Sequence, residues 1–436
     1  MSKVVKVIGA GLAGCEAAWQ LAERGISVEL FEMKPGKKSP AHSSENYAEL
    51  VCSNSLRSKE LTNAAGLMKE EMRRLGSLII TSADETAIPA GGALAVDREH
   101  FAYTVSNKIR NHPNIKVNEE EVTVIPDGRV IIATGPLTSD DLANSIKELF
   151  PDKKMLNFFD AAAPIITYES IDMEHAFFAS RYNKGDADYI NCPMDKEMYI
   201  EFRNALICAQ KADIHGFEEK LVFEGCIPIE IMAKRGEDTM RFGPLKPVGL
   251  PDPKTGNEAY AVLQLRKDNA EGTLYNIVGF QTNLKFTEQK RITAMIPALR
   301  NAEIARYGVM HRNTYLDSPK LLDRFYRLKK NPRIGFAGQI TGVEGYVESA
   351  ASGLLAGIET AGEVQNVHPI TFPAETAIGA LALYISTGSV SDFQPMNINF
   401  GLISAPDVKI KGKREKNLAV SERSLKFIDS IKLRGE

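Results

Sequence analysis

Cysteine is scarce and scattered: Cys15, Cys52, Cys192, Cys208 and Cys226 make an odd set of five with no C-x-x-C pair. That excludes a disulfide framework and a structural zinc site, and it points to a reducing, cytoplasmic compartment. No apolar run reaches the ~18 residues of a membrane span, and the N-terminus leads directly into a strand, so no membrane partner is expected. Positive charge is not in excess either. Fifty-three Lys and Arg against 56 Asp and Glu leave a net charge of −3 and a pI near 6.2. A polyanion must therefore be held by local patches rather than by the field of the whole molecule. The chain has no internal repeat and no low-complexity segment. No second G-x-G-x-x-G follows a predicted strand, so a dedicated NAD(P)H domain is missing, although NAD(P)H can still reach a bound cofactor from its open face. No obligate protein partner is evident. At 436 residues the chain is too long for one ordinary core and implies two or three domains.

The chain does carry a dinucleotide signature at its start. Gly9-Ala10-Gly11-Leu12-Ala13-Gly14 follows the apolar strand Val4–Ile8 and opens a helix expected over Leu12–Arg24. Glu32 then closes a second apolar strand, Ser27–Phe31. Gly9 permits the tight turn, Gly11 lets the backbone approach a pyrophosphate, and Gly14 allows helix and strand to pack closely. The helix N-terminus favours the negative charge of the pyrophosphate. Glu32 is placed to hold a ribose hydroxyl.

Further along, Leu67, Met68, Met72 and Leu75 share one helical face. Pro89–Asp97 reads as a turn-rich approach to a helix, roughly 98–111, that Asp97 can cap. Val117–Val124, the turn Pro126-Asp-Gly128 and Val130-Ile-Ile-Ala-Thr134-Gly135 read as a hairpin arm followed by a buried strand. Its Ala-Thr-Gly end resembles the element that closes a strand beside the nucleotide in flavin disulfide-reductase-type proteins. From about Asp160 to Arg327 short alternating runs such as Tyr260–Leu265 and Leu274–Phe280 predict an antiparallel sheet. The nucleotide domain resumes with the strand before Gly338-Gln339, passes Gly342 and Gly345, and enters the small-residue helix Val347–Val364. That helix is expected to lie close to a cofactor or sheet, its positive end facing a reduced flavin. The expected class is α/β. A Rossmann-like FAD-binding domain (1–159 and 330–436) is interrupted by an α+β insertion with an antiparallel sheet (160–329). The return to a Gly-rich strand–helix element near the end of the chain favours FAD over a simple nicotinamide dehydrogenase.

These and further segments carry a family resemblance. Ala48-Glu-Leu-Val-Cys-Ser-Asn-Ser-Leu-Arg57, Pro89–Arg98, Phe223-Glu-Gly-Cys-Ile-Pro-Ile-Glu230, Arg306–Asn313 and Gly338–Ser349 resemble, in order, the folate- and FAD-dependent tRNA uracil-5-methyltransferases (TrmFO). A larger, GidA-like tRNA-modifying flavoprotein shares parts of the nucleotide domain. The resemblance implies methylation of a T-loop uridine of tRNA at C5. The one-carbon unit comes from 5,10-methylenetetrahydrofolate, and FAD is reduced by NADH or NADPH. It also implies that Cys226, in Gly225-Cys-Ile-Pro228, is the thiolate that adds to C6 of the base. Lys234, Arg235 and Arg241 are near enough in sequence to lower its pKa if they fold toward it. Cys52 matches the second family cysteine and serves either as acid/base at C5 or as a second thiol near flavin and folate. Glu344 and Tyr346 are candidates to contact folate or base, and His311 to stack on a ring. For tRNA, Lys320–Arg333 carries six basic residues against Asp323, with Phe325 and Tyr326 interleaved. Lys409, Lys411, Lys413, Arg414 and Lys416 form a second cluster. Two rival readings stand beside the enzyme: an FAD-dependent thiol or NAD(P)H oxidoreductase pairing Cys52 with Cys226, and a non-catalytic tRNA-binding flavoprotein.

Overall fold

The computed structural model describes residues 4–39, 41–150, 156–183, 186–212, 227–387, 393–406 and 410–431. Its organising element is a six-stranded sheet in the order Arg327–Leu328, Asn331–Phe336, Arg129–Ile132, Val4–Ile8, Ser27–Phe31, Ile115–Asn118. Every neighbouring pair is parallel except the first, a hairpin. The chain winds outward from Val4–Ile8 to Ser27–Phe31 and Ile115–Asn118, then crosses back to place Arg129–Ile132 on the other side. Strand order therefore reverses beside Val4–Ile8, and in open α/β sheets the crevice at the carboxyl ends of such strands is where ligands bind.

That topology corrects one expectation. Val117–Val124 and Val130–Gly135 do not pair as a hairpin; Ile115–Asn118 and Arg129–Ile132 lie in the same sheet with two strands between them. Val130, Ile131 and Ile132 are buried on both faces, as expected of the buried strand read there, and they sit centrally in the parallel sheet. Pro126–Gly128 makes a crossing connection that shares its composition with hairpin turns.

The helix Leu12–Ala22 packs against the helix Tyr346–Val364 through small residues. A Cβ on Gly353 would come 2.1 Å from the Ala13 carbonyl oxygen, and one on Gly357 would come 2.7 Å from that of Ala17. The small-residue stripe therefore faces the first helix, and only the Tyr346 end of the later helix reaches the crevice.

A second six-stranded sheet is wholly antiparallel and runs Phe177–Ala179, Tyr189–Met194, Ala261–Lys267, Leu274–Ile277, Ile165–Thr167, Ile304–Arg306. Tyr199, Phe202 and Leu206 of the helix Lys196–Cys208 belong to its core. A ribbon of Leu156–Ala161 and Met310–Tyr315 lies between the two sheets in sequence. A three-stranded sheet, Ser55–Ser58, Ala93–Val96 and Ala87–Ile88, supplies order within the stretch read as turn-rich. Asp97 caps the helix Arg98–Arg110, its carboxylate accepting the His100 N–H at 2.9 Å. Among the described residues no helix is long and apolar enough to cross a membrane.

Candidate active site

The carboxyl ends of Val4–Ile8, Arg129–Ile132 and Asn331–Phe336 open onto a cleft of about 480 Å³. Gly9 turns out of the first strand with φ +96°, where a side chain would be strained. A Cβ on Gly14 would lie 1.7 Å from the Gly9 carbonyl oxygen, so this residue sets the approach of helix to turn. Gly11 is different: a Cβ there would meet nothing within 4 Å. Its open side is room for a ligand, at a helix N-terminus that no side chain caps. Gly9, Ala10, Gly11, Leu12 and Ala13 all line the cleft, and Gly14 lies behind them. Glu32 lines it too, with one carboxylate oxygen accepting the Ala10 N–H at 2.7 Å and the other the Lys34 N–H at 3.1 Å.

Thr134, Gly135, Gly338, Gln339 and Gly345 form the facing wall, and Gly342 sits behind it against the Phe393 ring. The Glu344 carboxylate, buried at the cleft edge, accepts the Gln339 amide at 2.6 Å. The strand Met310–Tyr315 contributes Asn313 to the lining. The side chain of His311 lies outside the described residues, as does the whole of Cys226. Just after it in the chain, the Ile229 N–H donates to the Gln281 carbonyl at 2.7 Å, and Gln281 lines the cleft. Glu230 ties the same turn down by accepting the Thr282 hydroxyl and the Asn283 N–H, both at 2.9 Å.

Cys52 and Tyr346, separated by 294 residues in sequence, meet on the cleft wall. The Tyr346 hydroxyl oxygen accepts the N–H groups of Cys52 (2.8 Å) and Ser53 (3.2 Å), and lies 3.0 Å from the Cys52 sulfur. A hydroxyl has two lone pairs and one proton. With both lone pairs occupied by backbone N–H groups, the remaining Tyr346 O–H points its proton at sulfur. Burial drives the Tyr346 pKa well above that of an ordinary phenol, which keeps the proton in place. The pair is thus arranged for the Tyr346 hydroxyl to donate to the Cys52 sulfur.

Two arginines bracket this loop. Arg98 donates to the carbonyls of Leu50 and Val51 (the latter at 3.3 Å) and holds Asp268 through two bonds of 3.2 and 2.8 Å. Arg266 donates to Asn54 Oδ1 at 3.0 Å and Ser53 Oγ at 2.8 Å. Asp268 and Arg266 come from the antiparallel sheet and its following turn, so both sheets build the Cys52 site. Sequence reasoning assigned neither arginine a role. Arg266 did leave a trace, a charged residue directly after the mostly apolar run Ala261–Leu265, within a strand that continues to Lys267. Arg57 and the buried Glu348 form a further ion pair, with the Ile398 N–H on the same carboxylate at 2.8 Å.

The other described cysteines stand apart. Burial pushes the Cys192 thiol up to about 12 and the Cys15 thiol higher still, so neither ionises near neutrality. Cys208 is exposed at the end of its helix. The basic run Lys320–Arg333 is mostly committed within the fold. Arg327 pairs with Asp323 and Glu363, Arg324 with the Phe372 carbonyl, and Lys320 with Asp317. Tyr326 is buried and Phe325 lies under Arg327, so neither ring is presented for base stacking. In the second cluster Lys409 lies outside the described residues, while Lys411, Lys413, Arg414 and Lys416 are exposed at the start of the helix Lys413–Ser430.

The family model described as "Glucose inhibited division protein A" matches residues 4–368. A protein of Acetivibrio thermocellus named methylenetetrahydrofolate--tRNA-(uracil-5-)-methyltransferase TrmFO is 59% identical over 429 residues, covering 98% of each chain. One of the same name from Listeria monocytogenes is 58% identical over 431 residues, covering 99% of each. Aquifex aeolicus GidA superimposes with a TM-score of 0.70 at 18% identity, over 98% of this chain and 73% of that one. A likeness at that identity establishes the Rossmann-type fold.

Proposed function

The chain belongs to the TrmFO family of methylenetetrahydrofolate-dependent tRNA uracil-5-methyltransferases, and we propose that its cleft holds FAD while Cys226 and Cys52 handle the base. The enzyme methylates C5 of a tRNA uridine with a one-carbon unit from methylenetetrahydrofolate; the target is a T-loop uridine and the product ribothymidine. Support for FAD comes from the cleft itself. The open side of Gly11 and the uncapped helix start suit a pyrophosphate, Glu32 suits the ribose, and Gly338, Gln339 and Gly345 complete the wall. Bound FAD, once reduced by NADH or NADPH, supplies the hydride that turns the methylene carbon into methyl.

The protein's own residues do the rest. C5 of uracil is a weak nucleophile until a thiolate adds at C6. Cys226 supplies that sulfur: the S–C6 bond forms, the C5=C6 electron pair moves toward the C4 oxygen, and C5 becomes able to attack the methylene carbon. The proton then leaves C5 as the bond between the methylene carbon and the folate nitrogen breaks, leaving an exocyclic methylene at C5. Hydride addition to that carbon restores the C5=C6 bond and releases the Cys226 sulfur from C6. Cys52 accepts that proton as a thiolate, with Tyr346 donating to its sulfur before the transfer. The observation that carries this reading is the Cys52–Tyr346 contact at 3.0 Å, because its donor arithmetic leaves sulfur as the acceptor. A target base reaches this depth only when extruded from its loop.

Incubation with unmodified tRNA, methylenetetrahydrofolate and NADPH tests the reading directly: nucleoside analysis is expected to show 5-methyluridine. Protein that reduces disulfides with NADPH yet leaves tRNA unmethylated would favour the oxidoreductase alternative. Tyr346→Phe is expected to lower turnover at neutral pH about tenfold. Losing the O–H donor disfavours the thiolate, so the acid limb of the pH–rate profile moves to higher pH and activity partly recovers in alkaline buffer. An unshifted acid limb would count against Cys52 as the base.

A further inference from the structure

The strand Ala261–Lys267 delivers one charged side chain to the cleft lining, Arg266, which is only 8% exposed. Its hydrogen-bond acceptors, Asn54 Oδ1 and Ser53 Oγ, are neutral, and the Tyr189 hydroxyl lies beside it. Among the described residues no carboxylate comes within 4.0 Å of its guanidinium. Asp268, the acid that acts on it, is already gripped by Arg98 through both carboxylate oxygens. Two buried arginines therefore share one carboxylate. Burial, reinforced by the Arg98 charge, pulls the Arg266 pKa below its ordinary value. A buried cation whose hydrogen-bond partners are all neutral, and whose nearest acid is shared, is costly in a folded protein. That cost is repaid in function when negative charge develops next to it in a water-poor site.

We propose that Arg266 is the oxyanion receptor of the reaction: its guanidinium binds the uracil C4 oxygen as that oxygen gains charge on addition of the thiolate to C6. The inference rests on the C6-addition reading above. In that step the sulfur lone pair forms the S–C6 bond, the C5=C6 pair becomes C4=C5, and the C4=O pair moves onto oxygen; no proton moves. The charge returns to carbon as C5 attacks, so the interaction is strongest in the adduct and weaker before and after it. Ser53, which Arg266 binds, is the residue next to Cys52, so the receptor sits beside the proton carrier. The same group selects the base. A guanidinium has donors only, and so accepts the C4 oxygen of uracil but not the C4 amino group of cytosine.

The test uses tRNA carrying 5-fluorouridine at the target, whose fluorine cannot leave as a proton and so holds the C6 adduct. Adduct formation on denaturing gels, tRNA affinity by filter binding and FAD content by absorbance are compared for the full-length enzyme, Arg266→Gln and Arg266→Lys. Arg266→Gln is expected to form adduct about 100-fold more slowly at saturating tRNA, with FAD content and tRNA affinity within about threefold of the unmodified enzyme. Arg266→Lys, which keeps the charge, is expected to recover part of the rate. An undiminished rate in Arg266→Gln overturns the inference. So does a defect that vanishes at saturating tRNA, which marks a phosphate contact, or loss of FAD in both variants, which marks a structural prop for the Ser53–Asn54 loop. If the unmodified enzyme itself forms no adduct, the C6-addition reading falls and Arg266 as its receptor falls with it.

Discussion

Cys226→Ala is expected to reduce 5-methyluridine formation by more than about a thousandfold while the purified variant keeps its yellow colour and its affinity for tRNA. The size follows from the chemistry of the base. Without a sulfur at C6 there is no electron-rich C5, and among the described residues Cys52 is the one other cysteine in the cleft lining. Cys15 and Cys192 are enclosed, with thiols that burial keeps protonated. Cys52 does line the cleft, but its sulfur contacts the Tyr346 hydroxyl, and the role proposed for it is that of a proton carrier. The proposed seat of the cofactor is the glycine turn of Gly9–Gly14, more than 200 residues from Cys226 in the chain, so FAD is expected to survive the substitution. Nucleoside analysis of tRNA from single-turnover reactions, read beside the visible spectrum of the variant, checks both halves. Full turnover in Cys226→Ala would remove the covalent step. A variant that binds tRNA normally, set beside an equally inactive unmodified protein, would instead support the non-catalytic alternative.

The parts of this site that were legible in the sequence are those in which the physical cause and its effect lie close together in the chain. Gly9 and Gly14 are five residues apart and constrain each other directly, so the strand–turn–helix could be read from spacing alone. Asp97 and the helix it caps are equally local. In the sequence Tyr346 stands beside the flavin-domain glycines and reads as a candidate contact for folate or base, not as a partner of Cys52. Its partner, Cys52, lies 294 residues away, and tertiary packing alone brings them together. The bracket of Arg98, Asp268 and Arg266 was hidden for the same reason, since it joins a helix start to a distant sheet. Where pattern misled, it did so because composition is degenerate. Pro126–Gly128 has the residues of a hairpin turn, but the buried run after it can satisfy both its faces only in the middle of the parallel sheet. Lys320–Arg333 has the composition of an RNA-binding stretch, but Asp323 and Glu363 neutralise its central arginine and Tyr326 turns inward.

The second large effect separates the cofactor from the fold. Gly11→Val is expected to weaken FAD binding by more than about a hundredfold, equivalent to about 2.7 kcal/mol, and to leave the protein colourless. Gly11 has φ −74° and ψ −170°, an extended conformation open to any residue, and a Cβ there meets no protein atom within 4 Å. The new side chain thus strains nothing in the chain and projects into the space a pyrophosphate needs. The cost to the protein without cofactor is a poorer helix N-cap, about 1 kcal/mol, so its thermal midpoint should move by only a few degrees. Gly14→Ala behaves oppositely. Its Cβ would stand 1.7 Å from the Gly9 carbonyl oxygen, so turn and helix must separate, and stability falls whether or not cofactor is present. Titrating FAD into each stripped variant, alongside thermal melts with and without it, distinguishes the two. If Gly11→Val bound FAD as tightly as the unmodified protein, the pyrophosphate could not lie against this turn, and the cofactor would have to be placed elsewhere along the cleft.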